Sequence, residues 1–286
     1  MRVITEIQEM KREIEKQKSG NRSIGFVPTM GFLHDGHLSL VSACQKAADV
    51  TVMSIFVNPL QFGPGEDYDS YPRDAKRDIE TAEANGVDIV FMPDRNEMYP
   101  KPMGSKIVVH EGTDVLCGAS RPGHFDGVAT VVMKLFQIVK PDYAAFGMKD
   151  AQQVAVIERL VQDYHLDVKI LRGNVVREED GLAMSSRNVR LTKEERTEAP
   201  AIYQILKETG REIRNQTMGM PEEAESFAKD KLATLVSAEI EYVECRSFPN
   251  LSKEDDFASG EWLLAAAVRY SGVRLIDNIL IQKGEL

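Results

Sequence analysis

The chain has 286 residues, 43% hydrophobic and 28% charged, with 45 Asp and Glu against 35 Lys and Arg for a net charge of −10. That mix belongs to a soluble folded protein of one or two domains and excludes a disordered segment. The acidic balance excludes a general nucleic-acid binder, which needs clustered Lys and Arg, but leaves room for a small anion held by a few cations.

The first residues, Met1-Arg-Val-Ile-Thr-Glu, are too charged for a secretory leader. Thr5 is placed to cap a helix with Ile7, Met10 and Ile14 on one face, ending near Ser19-Gly20. Ser23 to Val27 reads as a strand, followed by the loop Pro28-Thr-Met-Gly-Phe-Leu-His-Asp-Gly-His37 and a helix from about His37. Val50 to Val57 is β-branched and apolar on both faces, as a buried parallel strand requires. The spacing then predicts a helix over 73–85, a strand over 87–92, a helix over 127–139, a strand over 143–146, a helix over 150–164 and a strand over 168–171. Two charged helices are expected at about 193–214 and 221–235, then strands over 239–246 and 262–270. The longest strongly apolar run, Trp262 to Val268, is far short of the roughly 20 residues of a membrane span, so no membrane partner is expected. Cys44, Cys117 and Cys245 are odd in number and widely spaced, which predicts three reduced thiols of a cytoplasmic protein.

Alternating strands and helices make residues 1–175 a doubly wound parallel α/β domain, and the change of character afterwards makes 176–286 a smaller α+β domain. Neither a G-x-x-x-x-G-K-[ST] loop nor a G-x-G-x-x-G fingerprint occurs. Chemistry gathers instead at three strand-to-helix or loop segments. In the first, Pro28 to His37, Gly31 and Gly36 let the backbone approach a ligand, and His34 and His37 stand three apart at a helix entrance that favours phosphate. Two surface histidines at a cap would look the same, and a zinc pair would lack its completing ligands nearby. The second is Phe146-Gly-Met-Lys-Asp150. A lysine at a helix N-terminus opposes the dipole by roughly 0.3–1 kcal/mol, a conflict that a bound phosphate removes and that Asp150 also offsets. The third, Met184-Ser-Ser-Arg-Asn188, is similar to the K-M-S-K-S loop of adenylating enzymes, although Ser-Ser-Arg-Asn is also a good turn.

Six blocks taken together carry a resemblance. They are Pro28 to Leu38, Ser54-Ile-Phe-Val-Asn-Pro-Leu-Gln-Phe-Gly63, Asp69-Ser-Tyr-Pro-Arg73, Arg121-Pro-Gly-His-Phe-Asp-Gly-Val128, Phe146 to Gln153 and Met184 to Asn188. On these the chain resembles the pantothenate synthetase (pantoate–β-alanine ligase) family over nearly its whole length. The resemblance implies a Rossmann-like sheet of the H-x-G-H nucleotidyl transferase type with a smaller C-terminal lid domain, usually in a cytoplasmic homodimer. It implies that pantoate, activated by Mg2+-ATP as an adenylate, is joined to β-alanine to give pantothenate, AMP and pyrophosphate.

The resemblance also implies roles. Met30, Gly31, Phe32, Leu33, His34, Asp35, Gly36 and His37 bind ATP, with His37 the proton donor and His34 its partner in stabilising phosphate charge. Gly147, Met148, Lys149, Asp150, Val176, Met184, Ser185, Ser186 and Arg187 complete the ATP site, with Lys149 supplying catalytic positive charge. Gln61 binds pantoate and lies near β-alanine, and Gln153 binds pantoate. Neutral amides suit an acid whose carboxylate must stay nucleophilic, and Pro28, Met30, Phe56 or Val131 would suit its geminal methyls. Asn58, Tyr71, Arg121 and His124 lie in the matching blocks, with Arg121-Pro-Gly-His equally readable as a structural loop. Asp78 is a candidate magnesium ligand or a solvated helix carboxylate. The rival readings are another H-x-G-H nucleotidyl transferase acting on a cofactor precursor, an aminoacyl-tRNA synthetase, and a non-catalytic nucleotide sensor.

Overall fold

The computed structural model describes residues 1–254, 256, 257 and 260–282. Arg2–Ile4 forms a short strand, β1, followed by the helix α1 over Ile7–Ser19, whose Met10 and Ile14 are buried. The N-cap of α1 is Glu6, not Thr5, and the Ile7 N–H is satisfied from afar by the Glu97 carboxylate at 2.7 Å. β2 (Ile24–Thr29) continues two residues beyond the predicted strand, through Pro28 and Thr29, before α2 (Asp35–Ala47). β3 (Val50–Ile55), α3 (Ala75–Ala84), β4 (Ile89–Phe91) and two short helices, α4 (Arg95–Met98) and α5 (Leu116–Ser120), follow. α6 (His124–Val139) begins three residues before the predicted Gly127, entered through Gly123 in the left-handed region. β5 (Tyr143–Gly147) leads through a 3-10 turn, Met148–Asp150, into α7 (Ala151–Asp163), and β6 (Lys169–Gly173) ends the series.

The six strands form one parallel sheet in the order β1-β4-β3-β2-β5-β6, with Thr29 of β2 opposite Ile55 of β3 and Phe26 opposite Ala144 of β5. This is an α/β, Rossmann-like core, and β2 shows why it needs helices on both faces. Val27 packs with Leu40, Val41 and Cys44 of α2 and Ala82 of α3, whereas the ring of Phe26 lies 6.4 Å from that of Phe136 on α6. α1 packs against α6. The chain passes from β2 to β3 on one side and later returns to β5 on the other. Open parallel sheets bind ligands outside the carboxyl ends of their strands at such a switch point.

The C-terminal part corrects one predicted helix and adds a strand. The helix expected over 193–214 is two, α8 (Lys193–Glu198) and α9 (Ala201–Arg214), parted at Pro200, which has no N–H to continue the ladder. α10 (Pro221–Leu235) follows as expected. β7 (Glu239–Phe248), β8 (Glu261–Arg269) and β9 (Arg274–Gln282) make an antiparallel sheet in that order, and β9 was not foreseen. Ile202, Ile205, Leu206 and Ile213 of α9 and Ala224, Ala228 and Leu232 of α10 form one core with Trp262, Leu264 and Ala266 of β8.

The chain groups into two compact units. One comprises Met1–His110, Arg121–Met148 and Val156–Asn174; the other comprises Glu111–Ser120, Lys149–Ala155 and the chain from Val175 onward. Cys44, Cys117 and Cys245 are free and buried, and no helix among the described residues is long and apolar enough to cross a membrane.

Candidate active site

In the first unit the loop between β2 and α2 is built from its backbone outward. Thr29 Oγ1 donates to the Ser54 carbonyl at 2.8 Å and accepts the Gly31 N–H at 3.2 Å. Gly31 (φ +83°) and Phe32 (φ +51°) are both left-handed, which leaves the next N–H groups outside helix or sheet. Asp78 of α3 takes both, its two oxygens accepting from Phe32 and Leu33 at 2.8 Å each. A Cβ at Gly31 would fall 2.8 Å from Asp78 Oδ2, so this glycine is required by space as well as by φ. Arg77 adds a donation to the Leu33 carbonyl at 3.3 Å and sets its guanidinium 5.0 Å from the centre of the Phe32 ring.

Asp78, a magnesium candidate by sequence, is thus seen anchoring the loop with each of its oxygens. Hydrogen bonds to a charged acceptor contribute about 1.5–3 kcal/mol each. Asp78→Asn keeps one acceptor and turns a donor toward the other N–H, so it is expected to lower the ATP-dependent activity that the resemblance implies by about 10- to 100-fold. Steady-state kinetics beside a thermal melt checks this; wild-type kinetics would remove Asp78 from the loop's support.

His34 and His37 close the first turn of α2. His34, extended at φ −146° and ψ 172°, is the N-cap; its Nδ1 accepts the Gly36 N–H at 3.2 Å, and His37 Nδ1 accepts the His34 N–H at 3.3 Å. Both Nδ1 atoms act as acceptors, so each neutral ring carries its proton on Nε2. The two rings are 4.1 Å apart at a tilt of 40°. The sequence thus brings together a helix N-terminus and a pair of Nε2–H donors, an arrangement suited to phosphate oxygens.

Gln61 lies in the 3-10 turn Pro59–Gln61 after β3 and is held at both ends. Its Oε1 accepts from Asn58 Nδ2 at 3.2 Å, and its Nε2 faces the Met30 sulfur at 3.3 Å. Asn58 is itself fixed by the Tyr99 hydroxyl, which donates to Oδ1 at 2.8 Å, and by a donation from its Nδ2 to the Gly127 carbonyl at 3.1 Å. Burial pushes the Tyr99 phenol far above its ordinary pKa, which keeps it a donor. The turn sits directly on α6, since a Cβ at Gly127 would fall 2.2 Å from the Leu60 carbonyl oxygen. The backbone oxygen of Gln61 accepts from His124 Nδ1 at 2.7 Å and Arg121 Nη2 at 3.3 Å. Arg121 also donates to His124 Nε2 at 3.1 Å, so His124 is the opposite tautomer to His34 and His37. Glu66 completes the group. Burial raises its pKa, but the Arg121 hydrogen bonds and charge outweigh burial and hold the carboxyl below its ordinary value. Arg121 and His124 therefore brace the backbone of Gln61. Phe56 and Val131 are buried, and the Phe56 N–H donates to the Thr29 carbonyl at 3.0 Å.

Gly147 and Met148 lie in the first unit at the end of β5, and the second unit holds Lys149, Asp150, Gln153, Val176 and Met184 to Arg187. Lys149 ends in an ammonium 3.5 Å from the Asp150 carboxylate, and its backbone carbonyl accepts from Asn278 Nδ2 at 2.9 Å. Of the adjacent glutamines, Gln152 is buried and structural: its Oε1 accepts the Cys117 N–H at 2.9 Å and its Nε2 donates to the Gly112 and Val115 carbonyls. Gln153 is half-buried beside it. Val176 and Met184 face each other across a small hairpin, the Met184 N–H donating to the Val176 carbonyl at 2.9 Å and Arg177 bridging to Ala183. Ser185 Oγ accepts the Arg187 N–H at 3.3 Å, Ser186 is buried, and Asn188 Nδ2 reaches the Ala183 carbonyl and Glu178 at 3.1 and 3.0 Å. Among the described residues no group of three or more His, Cys, Asp or Glu could hold a metal ion.

This arrangement has known relatives. The pantoate-beta-alanine ligase family matches residues 2–280. The chain belongs to that family. It is 52% identical over 286 residues to a pantothenate synthetase of Bacillus subtilis (strain 168), covering 100% of this chain and 99% of the relative. A pantothenate synthetase of Geobacillus sp. (strain WCH70) is 50% identical over 281 residues, covering 98% and 99%. The crystal structure of pantothenate synthetase from Thermus thermophilus superposes with a TM-score of 0.92 at 40% identity, covering 99% of this chain and 100% of that one. A pantoate-beta-alanine ligase from Francisella tularensis, complexed with beta-gamma ATP and beta-alanine, gives a TM-score of 0.79 at 34% identity over the full length of both chains.

Set within the family, the residues that motif reading passes over are those acting one contact away from a motif. Tyr99 and Arg77 fall outside the six blocks, and Asn278 and Arg177 belong to segments read only as lid. A left-handed Gly-Phe pair with orphaned N–H groups was the one local sign that a buried acceptor such as Asp78 had to exist.

Proposed function

We propose that this chain joins pantoate to β-alanine at the expense of ATP, giving pantothenate, AMP and pyrophosphate, and that it does so through a pantoyl adenylate. The observation carrying the adenylation step is the α2 entrance, where the N–H groups of a helix start and two Nε2–H imidazoles are held by the loop's own hydrogen bonds. In the first step a pantoate carboxylate oxygen attacks the α-phosphorus, the bond from that phosphorus to the bridging oxygen breaks, and pyrophosphate leaves with the electron pair. In-line displacement of this kind needs positioning and positive charge more than a covalent nucleophile. His37 is the proton donor and His34 its partner on the phosphates. Met30 to His37, Gly147 to Asp150, Val176 and Met184 to Arg187 bind ATP, with Lys149 and Arg187 supplying cations.

Gln61 and Gln153 bind pantoate. The reading for Gln61 is supported by its fixed amide: Oε1 is turned to Asn58, and Nε2 spends one hydrogen on the Met30 sulfur and keeps the second for an acid. In the second step the β-alanine amine attacks the acyl carbon, the acyl–oxygen bond to AMP breaks, and the ammonium proton passes to solvent. Magnesium comes with the nucleotide, since Mg2+ is commonly held by substrate phosphates and waters with one or two carboxylates, and it neutralises phosphate charge. The same reading makes residues 1–175 the ATP- and pantoate-binding domain, 176–286 the lid, and the protein a cytoplasmic homodimer.

Exchange of labelled pyrophosphate into ATP tests the adenylate directly. Exchange is expected with pantoate present and β-alanine absent, and no exchange above the pantoate-free rate would defeat the proposal in favour of another nucleotidyl transferase.

A further inference from the structure

Two segments assigned to ATP, Lys149 and the hairpin leading into Met184–Arg187, meet at the middle of β9 by way of Asp277 and Asn278. Both polar residues are buried, although they interrupt an otherwise apolar strand, Arg274-Leu-Ile-Asp-Asn-Ile-Leu-Ile-Gln282. Their partners across the ladder are Ala266 and Ala265 of β8. Asn278 Nδ2 donates to the Lys149 carbonyl at 2.9 Å. Asp277 accepts a two-point pair from Arg177, Nη1 to Oδ2 at 2.6 Å and Nη2 to Oδ1 at 2.9 Å. Its Oδ1 also accepts the Asn278 N–H at 2.7 Å, which ties the two β9 residues to each other.

Arg177 carries the link onward. Its guanidinium donates to the Gly181 carbonyl at 3.1 Å and the Asn278 carbonyl at 3.3 Å, and lies 3.4 Å over the ring of Tyr203. The hairpin it braces is closed by the bridge from Arg177 to Ala183 and by the bond from Met184 to Val176, so its far strand runs straight into Met184-Ser-Ser-Arg187. All of these residues belong to the second unit.

We propose that Asn278, with Asp277 and Arg177 behind it, is a positioning residue for adenylation: β9 is the common datum that fixes Lys149 against the Met184–Arg187 loop. A buried ion pair flanked by two backbone-directed donors is costly to build as a stability device, because desolvation cancels most of its attraction. What it supplies is orientation, since a bidentate guanidinium and an amide each accept one geometry. The inference rests on Lys149 and Met184–Arg187 being ATP-binding residues; exchange by the unmodified protein tests the reaction, and the loss of exchange in Lys149→Ala alone tests that premise separately.

The deciding experiment is a double-mutant cycle on the exchange rate, with Asn278→Ala, Lys149→Ala and the pair. Asn278→Ala is expected to lower kcat on the order of tenfold in the otherwise unmodified protein, while keeping the KM for pantoate. In the Lys149→Ala background the same change is expected to have almost no further effect, because there is no longer an ammonium to position. Equal fold-losses in both backgrounds, or wild-type kcat in folded Asn278→Ala, overturn the proposal. If Asn278→Ala does not fold, Arg177→Lys, which keeps the charge but loses the fork, decides: a raised KM for ATP with an unchanged melting temperature supports it, and an unchanged KM overturns it.

Discussion

His37→Ala is expected to slow pantoate-dependent pyrophosphate exchange by about a hundred- to ten-thousand-fold, the usual weight of a positioned proton donor. Two things leave with the imidazole. The Nε2–H donor is the larger loss, because on the proposed reading the proton for the departing oxygens goes with it and His34, Lys149 and Arg187 supply charge but not that proton. The smaller loss is the acceptor for the His34 N–H, a cap-type hydrogen bond of about 0.5–2 kcal/mol. A change of that size moves a melting temperature by only a few degrees in a chain this long. Melting and exchange measured on one preparation separate the two: a folded protein with exchange near wild type would take His37 out of the chemistry.

Lys149→Ala is expected to lower the same exchange by about a hundred- to a thousand-fold, as the removal of one well-placed charge from a phosphoryl-transfer site does. The fold has little stake in this side chain. Its ion pair with Asp150 is long, at 3.5 Å, and Asp150 is 49% exposed, and such surface pairs contribute about 0–1 kcal/mol. The backbone of Lys149, by contrast, is pinned by Asn278, and alanine keeps that carbonyl. Lys149→Arg restores charge but replaces a compact ammonium with a planar fork at a fixed stem, so only a minor part of the rate is expected to return. Exchange within threefold of wild type in Lys149→Ala would assign the phosphate charge to another cation.

How far all this could be read in advance depended on range along the chain. β3 declared itself through Val50, Val52 and Ile55, because a strand buried on both faces must be apolar throughout. The H-x-G-H loop and its helix were legible for the same local reason. β9 was not, because Asp277-Asn278 is a poor strand sequence on its own and is stabilised there by Arg177, a hundred residues away. Pro200 was in plain view, yet the charge and apolar spacing on both sides of it suggested one helix; the missing N–H decided otherwise. The site divides in the same way. Histidines, lysine and glutamines proposed to meet substrate announce themselves by residue type, whereas Tyr99 and Asp78 work through backbone or amide groups and are ordinary residues in ordinary positions until their partners are known.

A helix end sealed by imidazole differs from one sealed by serine or aspartate in being a titratable seal. Acid that charges His34 or His37 puts a proton on the Nδ1 lone pair that the backbone was using, so the first turn of α2 loosens in the same event that adds a cation at the proposed phosphate site. On the proposed reading a bound nucleotide would act on both at once. Electrophilic strength and structural order at this entrance are therefore opposed, and an anion bound as proposed would reconcile them by holding the charged rings in place.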